Sequence, residues 1–309
     1  MNTQSNAIPD APAQTQHFAP TVIPESRLMY WLVQRELWEN RSIYLAPFAV
    51  AGLILFGFLI NMLQPRLWFA VGNGTLQQRQ AAAQPYEFAA LLIMGTTFVV
   101  AIFYCLDALY GERRDRSILF WKSLPVSDLM TVLSKASIPI VVLPLLTFAI
   151  TVVTQWIMLM MESVVFLAKG QNILTTLWGQ LSLSQMWFGL LYHLVTVHAL
   201  WYAPIFCWLL LVSAWARRAP ILWAALPLLA IALVERIAFD TSHFAIMLGN
   251  RLGGGAEAMT APGGNPMDPT MMHFTPANFL SSAGLWIGLL VAAACLAGAV
   301  RLRRYHGPI

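Results

Sequence analysis

The chain has 309 residues, of which 58% are hydrophobic and only 10% are charged, and its mean hydropathy is +0.64. A soluble domain carries about 25% charged residues, so this sequence cannot cover a water-facing surface, and a polytopic membrane protein is the class that composition leaves. The net charge of +4 does not point to nucleic acid, because the basic residues border apolar runs, where the lipid–water boundary accounts for them.

Residues 1–26 are polar and proline-bearing, with neither the basic start nor the apolar stretch of a signal peptide. They read as a flexible cytoplasmic tail. "RLMYWLVQRELWENRSIY" follows. There Leu28, Trp31, Leu32, Arg35, Trp38 and Leu45 recur with helical period against Gln34, Glu36, Glu39 and Asn40. An amphipathic helix lying in the membrane interface fits that pattern.

A spanning helix needs about 20 mostly apolar residues. Six runs meet that length, at about 43–63, 88–110, 136–161, 186–214, 220–237 and 279–300. The expected fold is therefore all-α, with six transmembrane helices in one transmembrane domain over residues 27–309. "QNILTTLWGQLSLSQ", before the fourth run, is too polar to span and reads as a short surface helix. With six crossings, Lys and Arg divide 13 to 5 in favour of the side that holds both termini. The positive-inside rule then makes the termini and the 111–128 loop cytoplasmic.

That loop, "YGERRDRSILFWKSLPVSD", is the most charged run in the chain. Glu112, Arg113, Arg114, Asp115 and Arg116 have spacings for i,i+3 and i,i+4 ion pairs if the second span continues as a helix. Ile118, Leu119, Phe120 and Trp121 make a compact apolar patch. Pro125 then breaks the chain, and Ser127 or Asp128 ahead of "LMTVLSK" is a helix N-cap signal. A short aromatic helix flanked by charge suits a partner's groove.

These residues resemble the first cytoplasmic loop of ABC-2 type exporter permeases. The shared pattern is Glu-Arg, a short apolar run, Ser-x-Pro-x-Ser and a Lys entering the next helix. Here it falls on Glu112–Arg113, Ile118 to Trp121, Ser123 to Ser127 and Lys135. The family is also similar in its six spans, its N-terminal connector helix and its lack of a fused ATPase. The resemblance implies a permease in the bacterial inner membrane, paired with a second permease subunit as a homo- or heterodimer and surrounded by lipid. It would work above separate cytoplasmic ATPase subunits, which bind ATP and Mg. It further implies that Glu112, Arg113, Arg116, Ile118, Leu119, Phe120, Trp121 and Pro125 couple to the ATPase, with Arg217 and Arg218 as a lesser cytoplasmic contact.

The chain has no G-x-x-x-x-G-K-[ST], and Gly253–Gly254–Gly255 lacks the lysine that would reach a phosphate. It also lacks H-E-x-x-H and G-x-S-x-G, so no enzyme activity and no cofactor of its own is expected. Charged groups at membrane depth are functional candidates by default. Asp107 is expected to pair with Arg113 or Arg114 or to cap the loop, and Glu235 with Arg236 to sit at the outer interface. His193 and His198 are five apart, on different faces of an α-helix, which suits interhelical bonding better than metal. Thr147, Thr151 and Thr154 form a polar stripe behind Pro139 and Pro144, a candidate pathway or a set of self-bonded hydroxyls. Gly284, Gly288 and Ala292 allow close helix packing. Cys105, Cys207 and Cys295 lie in apolar runs and read as small core residues. The methionines of 259–272 and His273 offer soft ligands for Cu(I), against the simpler reading of adaptable apolar contacts. Two other classes stay open: a secondary transporter, for which only His193 and His198 approach a coupling-ion site, and a membrane anchor or sensor that recruits a partner through residues 111–128.

Overall fold

The computed structural model describes residues 24–63, 76–123, 126–168, 183–253 and 276–305, and every element among them is helical. Helix α1 (Glu25–Glu39) begins inside the segment expected to be tail, and it stops where the Asn40 side chain and backbone both donate to the carbonyl of Glu36. The chain turns at Arg41 into α2 (Ser42–Leu63), whose 22 mostly apolar residues reach about 33 Å, enough to cross hydrocarbon. Next come α3 (Leu76–Ala108), α4 (Tyr110–Arg114) and α5 (Ser117–Ser123).

The break between α3 and α4 is held from outside. The Ser213 hydroxyl accepts the backbone N–H groups of Leu109 and Tyr110, at 3.0 and 2.8 Å. Arg113 in turn donates to the carbonyls of Ala214 and Ala216, at 2.6 and 3.2 Å, which the end of a helix leaves without partners. Helix α6 (Asp128–Ser137) starts as its capping signal predicts, with Ser127 Oγ accepting from Met130 N at 3.2 Å. Around Pro139 the chain widens into π-helical turns over Ile138–Val142 before α7 (Leu143–Ala168). A proline removes one donor and crowds the preceding turn, and a wider turn absorbs this without ending the helix.

The expected fourth span is divided. Helix α8 (Leu183–His193) runs into π-helical turns over Leu194–Trp201, and α9 (Ala203–Trp215) follows at a 44° bend with Pro204 in its first turn. Helix α10 (Pro220–Phe239) leads to α11 (His243–Leu252), and the short α12 (Pro276–Ser281) precedes α13 (Ala283–Tyr305). The sixth run is therefore broken at Ser282, and Phe279 belongs to α12. Most of the "QNILTTLWGQLSLSQ" stretch, Pro125, Gly254, Gly255, the Met259–His273 region and residues 1–23 lie outside the described residues.

Among the described residues, five stretches are long and apolar enough to cross a membrane: Ser42–Met62, Ala82–Arg114, Asp128–Ala168, Pro220–Phe239 and Ala283–Tyr305. The α8–α9 pair passes the same test only as a bent pair. Cys105, Leu106, Ile138, Leu143, Phe206 and Leu210 meet in the main core. Cys207, Ala203, Ala292 and Cys295 pack nearby, so all three cysteines are buried; of the small-residue stripe of α13, Ala292 lies against α9, whereas Gly288 lies against Arg251 of α11. Outside, large apolar side chains such as Phe56, Leu91, Leu145, Leu229 and Leu290 are exposed, a surface suited to lipid and foreign to a soluble monomer.

Candidate functional site

One end of the bundle holds a buried cluster of charges drawn from four separate elements. Helix α1 supplies Arg35 and Glu36, α4 supplies Glu112, α6 supplies Asp128 and Lys135, and the last turn of α13 supplies Arg303. The Lys135 ammonium lies 2.8 Å from Glu36 Oε1 and 3.2 Å from Glu112 Oε1. Arg35 Nη2 reaches the same two oxygens at 2.8 and 3.3 Å. Glu36 Oε2 accepts from the Tyr104 hydroxyl at 2.9 Å. Arg303 pairs with Glu112 Oε2 through Nη1, and its Nε lies 3.2 Å from Asp128 Oδ1. Glu36, Glu112, Lys135 and Arg303 are each at most 8% exposed.

The charges balance within this cluster, as buried ions require. Three cations (Arg35, Lys135, Arg303) face three carboxylates (Glu36, Glu112, Asp128), while the half-exposed Glu39 pairs with Arg35 at 3.2 Å. Burial pushes the Glu39 carboxyl above its usual range, against the pull of Arg35.

The cluster bears directly on the exposed aromatic helix. The guanidinium of Arg35 sits 3.7 Å above the Trp121 ring, and Phe120 meets Trp121 edge-on. Ile118 is buried, whereas Leu119 and Phe120 are 58% and 60% exposed. Lys122 donates to the carbonyl of Arg304, at 3.4 Å. Helix α5 is thus pinned on one side to α1 and on the other to the end of α13, with its remaining apolar face presented outward.

The expected coupling residues therefore separate. Leu119, Phe120 and Arg116 face out, and Arg116 has positive φ (58°) at the turn between α4 and α5. Glu112, Arg113 and Ile118 are buried, and Trp121 is half-buried. Glu112 makes long-range pairs in place of the local i,i+4 pairs its spacing allows, while Arg114 pairs with the adjacent Asp115. Arg217 and Arg218 are exposed at the bend after α9, beside the carbonyls that hold Arg113. Asp107 is exposed, one turn before Gly111.

The other candidates lie outside the ion cluster. Glu235 lies at the turn between α10 and α11, accepting from Thr241 Oγ1 at 2.9 Å and from the backbone N–H groups of His243 and Phe244 at 2.8 Å each. It caps α11 from the preceding helix. His198 is enclosed by Phe98, Tyr202 and Phe206, with ring centroids at 5.7, 5.7 and 6.4 Å. Because the chain between the two histidines winds as π-helix, residues five apart come closer to one face than α-helical spacing implies. Thr147 and Thr154 donate to the carbonyls of Leu143 and Ile150, each at 2.7 Å, while the hydroxyl of Thr151 is buried without a partner.

Sequence reading missed a second polar group. Tyr86 donates to Glu162 at 2.7 Å, Gln155 donates to the Tyr86 carbonyl at 3.0 Å, and Trp187 donates to Gln155 at 2.8 Å. It also put Glu36 on the polar face of α1, whereas Leu32 and Glu36 form the buried face and Trp31 and Trp38 the exposed one. A carboxylate flanked by Arg35 and aromatic residues carries no local mark of burial. Lys135, at the entry to a span, was the legible half of that pair. Among the described residues no group of three or more His, Cys, Asp or Glu side chains is placed to hold a metal ion. No family model matches the chain, and no curated protein or solved structure shows significant similarity to it.

Proposed function

We propose that this chain is the membrane subunit of an ATP-driven ABC-type exporter, driven by separate ATPase subunits that bind ATP and Mg. The observation that carries the reading is the pairing of an outward apolar helix, α5, with a buried ion cluster that ties it to α1, to the start of α6 and to the end of α13. A partner seated on Leu119 and Phe120 pushes on Trp121 and Arg35 at once. Because Glu36, Lys135, Glu112 and Arg303 form one connected set, the push is shared among three spanning helices. Glu112, Arg113 and Ile118 transmit force in this scheme, and Leu119 and Phe120 receive it. Arg217 and Arg218 flank the receiving surface.

The ion cluster also supports the six-crossing topology. It brings α1 and the last turn of α13 to the same end of the bundle, so the chain between them crosses an even number of times. Five continuous spans and the bent α8–α9 pair supply six. With Lys and Arg concentrated at the cluster end, that end is cytoplasmic, and the resemblance to ABC-2 type permeases makes the membrane the bacterial inner membrane. Helix α1, with Tyr30, Trp31 and Trp38 exposed, lies at the interface, and a second permease subunit completes the exporter.

Leu119→Ser combined with Phe120→Ala tests the coupling surface, read as the amount of ATPase subunit that co-purifies with the chain from its native membrane. Truncating a central aromatic anchor removes about 2 kcal/mol or more of binding, so co-purification is expected to fall at least tenfold while the chain remains inserted and monodisperse. ATPase recovery equal to that of the unaltered chain refutes the assignment.

A further inference from the structure

At the opposite end of α13 lies a cation with too few partners. Gly284 and Arg303 are 19 positions apart on this helix, about 28 Å along its axis. Arg251, near the end of α11, inserts its guanidinium between Trp201 and the first turns of α13. Its Cζ lies 4.1 Å from the Trp201 ring centroid, and its Nη1 donates to the Gly284 carbonyl at 3.0 Å. Gly288 makes the insertion possible, since a Cβ there would fall 1.8 Å from Nη2. Tyr202 adds a hydrogen bond to the carbonyl of Leu252, at 3.0 Å.

Donors outnumber acceptors at this place. Arg251 Nε and Nη2 and the indole N–H of Trp201 are buried without a partner, and Trp201 is only 5% exposed. Among the described residues no carboxylate lies within ion-pair distance of Arg251. A buried charge without a counter-ion costs several kcal/mol, and orphaned donors in a native fold call for an explanation. Packing alone does not give one, because a methionine or leucine would fill the same slot without the penalty.

We infer that Arg251, Trp201 and the Gly284–Gly288 turn form a binding site for a phosphate-type oxyanion. A guanidinium with Nε and Nη2 free presents the paired donors that bind two oxygens of such a group, and the indole N–H adds a third. Lipid headgroup and free phosphate share this chemistry. The position, at the first turn of a helix read as a span, is headgroup level, and α11 exposes Ile246 and Met247 beside it, where acyl chains would lie. The unpaired nitrogens are closed to water in this conformation, so the ligand enters with a small outward shift of α11. The inference is independent of whether the other end engages an ATPase.

The full-length chain is reconstituted in nanodiscs of mixed phosphatidylglycerol and phosphatidylcholine, and retained lipid is counted by native mass spectrometry. The unaltered chain is expected to hold phosphatidylglycerol about tenfold more tightly than Arg251→Gln. Gly288→Ala, which keeps the charge but occupies the Nη2 position, is expected to lose affinity likewise, and Trp201→Phe about threefold. Arg251→Lys serves as the folding control and retains part of the affinity. In parallel, inorganic phosphate is titrated into detergent-solubilised protein against tryptophan fluorescence. An Arg251-dependent response to phosphate alone identifies a free oxyanion as the ligand, and Arg251-dependent lipid retention with no such response identifies the headgroup. Equal lipid retention by the unaltered chain and by Arg251→Gln and Gly288→Ala, with no Arg251-dependent phosphate response, overturns the inference.

Discussion

Lys135 is the residue on which the buried cluster turns, since its ammonium is within 3.2 Å of two carboxylates that it keeps apart. Replacing one member of a buried ion pair strands the other and costs about 3–5 kcal/mol. Lys135→Met is therefore expected to lower the thermal midpoint sharply. Adding Glu36→Gln, which removes one stranded charge and keeps the amide within reach of Tyr104, is expected to restore a large part of the loss. A double-mutant cycle on the detergent-solubilised chain measures this, and additive effects of the two changes would contradict the geometry. The cluster was only partly legible in the sequence. Lys135 and Glu112 stand out in a chain so poor in charge, but Glu36 and Arg303 lie in segments that read as ordinary interfacial charge. Their partners are 99 and 191 positions away, beyond any local pattern.

Among the elements, α11 shows how a spanning helix supports a short one. Its own N-cap, Ser242, makes no side-chain capping bond, and Glu235 from α10 accepts the first free N–H groups in its place. A carboxylate at a helix N-terminus also complements the helix dipole. Glu235→Ala is expected to leave α10 inserted while the amides of His243 and Phe244 exchange hydrogen faster, read by hydrogen–deuterium exchange with mass spectrometry; unchanged protection there would argue against the cap. Helix α5 was legible because its charge and aromatic residues are contiguous. The breaks at Leu109 and Tyr202 were not, since the first depends on the Ser213 hydroxyl more than 100 positions on and the second on how Pro204 is accommodated. Pro139 and Pro144 are visible in the sequence as residues that disturb a helix, but nothing local selects the π-helical turns over Ile138–Val142 that formed.

The whole molecule is a bundle with two unlike ends, one rich in ion pairs and the other holding Arg251. This asymmetry makes the topology testable without a partner. The three native cysteines are buried, so added thiols at exposed positions report alone. Leu119→Cys and Tyr305→Cys are expected to react with an impermeant maleimide only in inside-out vesicles, and Met247→Cys only in intact cells. Labelling of positions 119 and 305 from opposite sides would exclude an even number of crossings between them.

By itself the amino-acid sequence determined the class of this protein. Its low charge, its apolar runs of spanning length and its clustered Lys and Arg follow from the energetics of hydrocarbon and interface, which act on composition and need no knowledge of contacts. Local signals such as the Ser127 cap and the α5 aromatic patch followed for the same reason. Only the tertiary structure decided which charges are buried together, where the helices break and which arginine is enclosed with no carboxylate beside it among the described residues. Ion pairs and helix-end bonds link residues far apart in the chain, and the free energy of a buried charge depends on whether its partner arrives in space.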